Sequence, residues 1–169
     1  TLSSSSAASD VYKRQRPEYM ETLAACFRAR LTHVNVNYRY VADEVHYIFD
    51  NSDAAVVVYG KEFRDNVAVL RPRLPNVKLW IEVGDGADLP DGTHDYEQLT
   101  ATGNGENLDI TRDGGDLLFL YTGGTTGMPK GVMWEHHALR ETQTMALRAL
   151  GDVPETLEEL KEHLATNGP

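Results

Sequence analysis

Apolar residues recur along this chain with periods that switch between helix and strand. From Pro17 to Leu31 they are spaced three or four residues apart, which predicts a helix that begins at the proline. β-Branched or continuous apolar runs begin near residues 32, 54 and 77, and each predicts a strand. Two further helical patterns lie between these runs; residues 51–53 end the first, and Pro72 and Pro75 end the second. This order predicts βαβ units, a parallel sheet and an α/β fold.

The second half of the chain has a different pattern. Residues 84–115 are rich in Gly, Asp, Thr and Asn, and they predict a long loop with at most one helical turn around residues 96–99. DLLFLYT then predicts a strongly apolar strand, followed by a glycine-rich loop and two helices, the last beginning at Pro154. We therefore divide the domain into a βαβ part (16–83), a long loop (84–115), and a part with strand, loop and helices (116–169).

The first 15 residues have neither a helical nor a strand period, and they lack the apolar stretch of a secretory signal. The letters SSAASDVYKRQ can be back-translated into codons that resemble a sequencing adapter. We expect residues 1–15 to be a non-native, adapter-derived tail, and residues 16–169 to form an incomplete domain of a longer protein.

Composition and charge narrow the classes of partner. The chain has 169 residues and a formal net charge of −10 without a concentrated basic face, which argues against nucleic acid. No apolar run approaches the roughly 18 residues that indicate a membrane span. The single cysteine, Cys26, excludes an internal disulfide and fits a reducing, cytoplasmic location. The histidines and Cys26 lack ligand spacing, so no metal site is predicted. The sequence does not indicate an oligomeric state.

The stretch YTGGTTGMPKG, residues 121–131, carries the candidate chemistry. It follows an apolar strand, and ligands bind at the carboxyl ends of strands in parallel α/β sheets. Its glycines allow backbone N–H groups to surround an anion, its threonines add hydroxyl donors, and its lysine adds a positive charge. The residues suited to a polyphosphate on these grounds are Gly123, Gly124, Thr125, Thr126, Gly127 and Lys130.

Two common nucleotide motifs do not fit this stretch. A Walker loop ends in Gly-Lys-Ser or Gly-Lys-Thr, whereas here Pro129 precedes Lys130 and Gly131 follows it. The spacing of a dinucleotide fingerprint is also missing, which disfavours NAD. A flexible surface hairpin is the general alternative for a loop of this composition.

The ten residues from Thr122 to Gly131 match every fixed position of the phosphate-loop signature of the adenylate-forming (AMP-binding) superfamily, which includes acyl-CoA synthetases, luciferases and peptide-synthetase adenylation domains. The following GVMWEH resembles the family's continuation and places His136 where many members have a histidine. NVNYRY, residues 35–40, is most similar to bacterial fatty-acyl-CoA ligases. The resemblance covers residues 17 to about 150.

The resemblance implies an ATP-dependent acyl-CoA synthetase that uses ATP, Mg²⁺ and coenzyme A. A fatty or similar carboxylic acid would attack the α-phosphorus of ATP, and coenzyme A would then displace AMP. The implied nucleotide-binding residues are Thr122, Gly123, Gly124, Thr125, Thr126, Gly127 and Lys130, with Lys130 also the candidate catalytic residue. His136 is a weaker candidate, with a surface position at a helix start as its alternative.

The family's adenine, ribose and C-terminal lysine motifs have no match in this chain, so we expect the chain alone to be inactive. Two alternatives remain open. One is an aryl-acid or peptide-synthetase adenylation domain, which differs in its acyl pocket. The other is a non-catalytic phosphate- or nucleotide-binding module, which would bind ATP without turnover.

Overall fold

The structure is a computed structural model that describes residues 16–123, 127–149, 151 and 153–167. The predicted tail, residues 1–15, lies outside the described part. The described helices are α1 (Pro17–Ala29), α2 (Ala42–Asn51), α3 (Arg64–Leu70), α4 (Tyr96–Ala101), α5 (His136–Arg148) and α6 (Leu157–Asn167). The described strands are β1 (His33–Asn35), β2 (Val56–Gly60), β3 (Leu79–Val83), β4 (Thr93–Asp95), β5 (Leu117–Thr122) and β6 (Lys130–Glu135). Short 3₁₀ turns at Lys61–Phe63 and Arg71–Arg73 flank α3.

Helix positions agree with the periodicity of the sequence. Helix α1 begins at Pro17, which needs no N–H partner in the first turn, and Arg30 ends it in a left-handed conformation with φ of 58°. Helix α2 ends at Asn51, where the polar residues 51–53 predicted its end. Strands β2, β3 and β4 run parallel to one another, so the predicted α/β class with parallel strands is confirmed.

The strands form two three-stranded sheets rather than one. In the first sheet β2, β3 and β4 lie side by side and all run parallel. In the second sheet β5 lies between β1, which is parallel to it, and β6, which is antiparallel. The prediction of successive crossovers within one sheet is wrong for β1, because this strand pairs with β5, 85 residues later in the chain.

The segment 84–115 is not a structureless loop. It contains β4, which pairs with β3, and α4, whose first turn is capped by the Asp95 carboxylate accepting a hydrogen bond from the Gln98 N–H at 2.8 Å. Residues 93–95 are too few and too polar to produce a strand pattern. The third strand of the parallel sheet was consequently missed.

The hydrophobic core lies against the parallel sheet. Its main cluster brings together apolar side chains from β2, β3, α3 and the segment after α3, with α2 packed against it. The buried members of this cluster are Val57, Tyr59, Val67, Leu70, Leu74, Val77 and Trp80. A second cluster of Ile81, Val83 and Tyr96 includes residues of β3 and α4. Among the described residues of the other sheet, Leu118 is the one hydrophobic side chain that counts as buried.

Arg30 forms ion pairs that join the two halves of the chain, the shorter one with Asp116. The Arg30 guanidinium, at the end of α1, donates hydrogen bonds to both carboxylate oxygens of Asp116 at 2.9 to 3.1 Å. Asp116 directly precedes β5, so this contact fixes the start of the strand that leads to the glycine-rich loop.

No described helix combines the length and the apolar character needed to cross a lipid bilayer.

Candidate phosphate-binding hairpin

The glycine-rich loop is the connection of a β-hairpin. Strand β5 ends at Thr122 and β6 begins at Lys130, and these two residues face each other as the last pair of the antiparallel ladder. The sequence predicted helices after the loop and did not predict that residues 130–135 form a strand paired with β5. The loop therefore has the hairpin form that the surface-loop alternative predicted. The hairpin also brings the Thr122 hydroxyl and the Lys130 ammonium group to the two ends of the loop.

Alternation along the two strands separates the side chains of the hairpin into two sets. Thr122 and Lys130 form one pair and project from one face, because successive strand residues point to opposite faces. The neighbouring pair, Tyr121 and Gly131, belongs to the other face. Thr122 and Lys130 are both exposed, so their polar groups are accessible to a ligand at the tip of the hairpin.

The described part of the loop has the backbone that its composition predicted. Gly127 adopts φ of +151°, which side chains rarely permit, and a Cβ placed there would meet no atom within 4 Å. Pro129 is fully buried although Met128 and Lys130 on either side of it are exposed. The ring therefore anchors the backbone immediately before Lys130. Gly124, Thr125 and Thr126, which were also predicted to bind phosphate, lie outside the described residues.

The loop also lies near the segment that follows β1. Because β1 and β5 are parallel, their carboxyl ends lie at the same edge of the sheet. The Tyr40 hydroxyl oxygen lies 3.8 Å from the position that a Cβ on Gly123 would occupy. Burial and the nearby Glu44 raise the pKa of Tyr40. Its hydroxyl therefore stays protonated at neutral pH and is a neutral neighbour of the loop.

Tyr121 connects the loop-proximal end of the hairpin to helix α2. Its hydroxyl donates a hydrogen bond to the Asn51 side-chain oxygen at 2.8 Å. Its ring covers Gly131, since a Cβ on this glycine would lie only 3.1 Å from the nearest ring atom. Burial raises the pKa of the Tyr121 hydroxyl, which keeps the donated proton in place at neutral pH.

An open groove of about 440 Å³ lies on the Tyr121 face of the hairpin. Residues from β5, β6 and the end of α2 line it, and they include Asn51, Asp53, Phe119, Tyr121 and Met133. The groove is on the face opposite to Thr122 and Lys130, so the phosphate-binding candidates do not contribute to it.

His136 is not brought next to the loop. It is the first residue of α5, at the other end of β6, which places it roughly 20 Å from Lys130 along a six-residue strand. Its ring packs on Phe27 with centroids 4.0 Å apart. The helix-start alternative for His136 therefore agrees with its position, although the ring is half-buried rather than fully at the surface.

In the described ranges no three His, Cys, Asp or Glu side chains cluster in a way that would hold a metal ion. Thr122 and Lys130 are hydrogen-bond donors, and their chemistry suits phosphate oxygens.

Sequence reasoning gave no role to Tyr121 or Asn51. Tyr121 belongs to the glycine-rich stretch, but its partner Asn51 lies 70 residues earlier. The sequence indicated only that Asn51 ends a helix. Strand alternation was the available signal, because it separates Tyr121 from Thr122 and directs the ring away from the candidate phosphate site.

The fold and this hairpin define a class: an α/β protein with a glycine- and threonine-rich loop between two strands. Comparison with known proteins agrees with that class, because residues 10–162 match the model of the AMP-binding enzyme family. The chain therefore belongs to the AMP-binding enzyme family.

Several characterised relatives are similar to this chain. It is 36% identical over 162 residues to the medium-chain acyl-CoA ligase Mig of Mycobacterium avium, with 94% of this chain and 29% of that protein aligned. It is 42% identical over 129 residues to the 3-oxocholest-4-en-26-oate–CoA ligase of Rhodococcus rhodochrous, with 75% and 23% covered. The chain thus spans between a fifth and a third of the length of these relatives.

A solved structure supports the same assignment. The acetoacetyl-CoA synthetase from Streptomyces lividans superposes with a TM-score of 0.68 and 26% identity, over 78% of this chain and 22% of that protein. Its similarity extends over most of the fold described above.

Proposed function

We propose that this chain is part of the N-terminal domain of an AMP-forming acyl-CoA ligase, and that its hairpin loop holds the β- and γ-phosphates of ATP. The supporting observation is the pairing of Thr122 with Lys130 at the exposed tip of a glycine-rich hairpin. Two donors of different kinds point from one face there, and the loop between them has the backbone freedom to follow a phosphate chain.

In the proposed reaction a carboxylate oxygen attacks the α-phosphorus of ATP, and the bond to the β-phosphate oxygen breaks. Pyrophosphate leaves and an acyl-adenylate remains; the thiolate of coenzyme A then attacks the acyl carbon, and AMP leaves. Negative charge grows on pyrophosphate as the first bond breaks. Donors that interact with this charge stabilise the transition state more than bound ATP, and this is the role proposed for Lys130 and Thr122.

The residues assigned to the loop would bind the nucleotide through its phosphates. Mg²⁺ carried by ATP would neutralise part of the phosphate charge, but the loop residues proposed here are donors to phosphate and not metal ligands. Gly124, Thr125 and Thr126 stay predictions, in the roles that the motif implies.

The proposed substrate is a fatty or similarly apolar carboxylic acid. Both relatives described above are named for acids with extended apolar parts, a medium-chain acid and a steroid acid. We also propose a cytoplasmic location, because ATP and coenzyme A are available there.

ATP–pyrophosphate exchange by the full-length protein tests this proposal. We expect exchange that depends on a medium- or long-chain fatty acid, and formation of the thioester when coenzyme A is added. Exchange only with aryl or amino acids would replace the fatty-acid proposal by another adenylating enzyme. Binding of ATP in calorimetry without exchange on any carboxylate would overturn the ligase proposal in favour of a binding module.

Pyrophosphate exchange by the 169-residue chain can be compared with exchange by the full-length protein. It contains the hairpin but covers less than a third of its relatives' length, so we expect no exchange by the chain alone. Exchange catalysed by the purified chain would contradict the proposal that the reaction needs further parts of the protein.

A further inference from the structure

The hairpin formed by β5 and β6 contacts helix α2 near its tip. The Tyr121–Gly131 pair is the last pair of the ladder before Thr122 and Lys130. On one side the Tyr121 hydroxyl reaches Asn51, and on the other its ring lies across Gly131. A single side chain therefore contacts the last residue of α2 and both strands of the hairpin.

We propose that Tyr121 is a positioning residue for adenylation, which holds the loop-proximal end of the hairpin against helix α2 through Asn51. The inference rests on the proposed function, since it concerns the step in which the loop would hold ATP. Tyr121 does not contact the phosphates in this account, because its side chain projects from the face opposite to Thr122 and Lys130.

Helix α2 is a suitable anchor for this contact. Ile48, one turn before Asn51, is completely buried, and Val45 and Phe49 pack against the main hydrophobic cluster. The carbonyls of Phe49 and Ile48 accept hydrogen bonds from the Ala54 and Ser52 N–H groups, at 2.9 and 3.0 Å, so the end of the helix is also held by its backbone. Asn51 thus presents its side chain from a fixed position.

The hairpin itself needs such an anchor. Strand β6 pairs with β5 alone among the described strands, and Val132 and Met133 of β6 are exposed. Apart from buried Pro129, the described residues next to the loop are exposed, so the hydrogen bond and the ring contact of Tyr121 add to the few contacts that fix the tip. The absence of a side chain at Gly131 is what allows the ring to lie across β6.

The account predicts a defect confined to one half-reaction. Tyr121→Phe in the full-length protein removes the hydrogen bond and keeps the ring, and we expect kcat/KM for ATP in pyrophosphate exchange to fall about fivefold, as for the loss of one hydrogen bond. Formation of thioester from a supplied acyl-adenylate and coenzyme A should be unchanged, because that step does not use the β- and γ-phosphates.

Two further variants test the contact itself. Asn51→Ala should reproduce the defect, and the Tyr121→Phe/Asn51→Ala double variant should be no worse than either single variant, since both remove the same bond. Gly131→Ala should also slow exchange selectively, because its Cβ would press on the Tyr121 ring. This variant keeps both hydrogen-bonding groups and tests the ring contact separately.

Tyr96→Phe is the matched control. The Tyr96 hydroxyl donates to the Glu21 carboxylate at 2.9 Å, away from the hairpin, so its loss should leave both half-reactions unchanged. If wild-type exchange is normal and Tyr121→Phe lowers neither half-reaction, or lowers both equally, the positioning role is wrong while the proposed function stands. If wild-type protein shows no exchange with any carboxylate, the proposed function fails, and the positioning role fails with it.

Discussion

Lys130 and Thr122 are brought together by their pairing at the end of the hairpin. The sequence placed both in one motif, but separated by seven residues; the antiparallel ladder sets them opposite each other and on one face. Buried Pro129 and the neighbouring Tyr121–Gly131 pair hold the backbone on which Lys130 is presented.

Replacing Lys130 by alanine should remove charge stabilisation of the leaving pyrophosphate. We expect kcat for exchange by the full-length protein to fall by about 10²- to 10³-fold, the usual loss for one such donor. Lys161→Ala, which removes an exposed lysine paired with Glu158 on α6, is the matched control and should have no effect. Unchanged exchange in Lys130→Ala would remove Lys130 from the catalytic role.

Buried His33 predicts that the stability of the fold depends on pH. It is 7% exposed, its Nδ1 has no hydrogen-bond partner among the described residues, and burial lowers its pKa below the ordinary value. The unfolded chain then binds a proton more readily than the folded chain. The contribution of His33 to stability is complete above pH about 6.5 and is lost as the pH falls toward the lowered pKa.

We therefore expect the free energy of unfolding, from urea titrations, to decrease between pH 7.5 and pH 5.5. His33→Leu should make this decrease smaller, and His94→Gln, at an exposed position of β4, is the matched control. An identical pH dependence in the wild type and His33→Leu would show that His33 does not cause it.

Helix α3 and strand β3 are joined by an ion pair that is buried on one side. Glu82 of β3 is completely buried, and its two carboxylate oxygens accept hydrogen bonds from the Arg64 guanidinium, both at 2.7 Å. Hydrogen bonding to Glu82 raises the pKa of Arg64, and the negative charges of Glu82 and Asp85 add to this rise. Arg64 also donates to the Ala87 carbonyl, which ties the segment after β3 to the same helix.

The Arg64–Glu82 pair predicts how the melting temperatures of two variants compare with each other and with the wild type. Arg64→Met leaves the Glu82 carboxylate buried without its partner and should lower the melting temperature strongly. The double variant Arg64→Met/Glu82→Leu removes both charges and should be more stable than Arg64→Met. Differential scanning calorimetry measures both; a double variant less stable than the single variant would mean that the buried charge is not the source of the loss.

At the element scale, periodicity predicted helices well and pairings poorly. Helices α1 and α2 have apolar stripes three and four residues apart, a signal contained within the element itself. The partner of β1 is instead β5, 85 residues away, and no local pattern specifies it. Strand β4 has three residues, two of them charged or titratable, so its pairing with β3 depends on tertiary contacts.

The motif of the candidate site could be predicted from the sequence, but the contact that supports it could not. Its motif is contiguous and therefore visible in the sequence, whereas the Tyr121–Asn51 contact joins residues 70 positions apart. The sequence thus predicts candidate groups for binding phosphate, and the structure adds the contact proposed to position the hairpin that carries them.

Over the whole molecule, burial is unequal between the two sheets. The parallel sheet carries both clusters of buried apolar side chains, while the hairpin sheet has exposed Val132 and Met133. We expect amide hydrogens of β2 and β3 to exchange more slowly than those of β5 and β6 in the 169-residue chain, because local opening follows local burial. Equal protection of the two sheets in hydrogen-exchange mass spectrometry would contradict this difference.

The central claim is that the hairpin loop holds the β- and γ-phosphates of ATP, and a crystal structure of the full-length protein with ATP tests it most directly. The account predicts these phosphates at the tip of the hairpin, with the Lys130 ammonium and the Thr122 hydroxyl within about 3.2 Å of their oxygens. ATP bound with its β- and γ-phosphates away from the loop would contradict it.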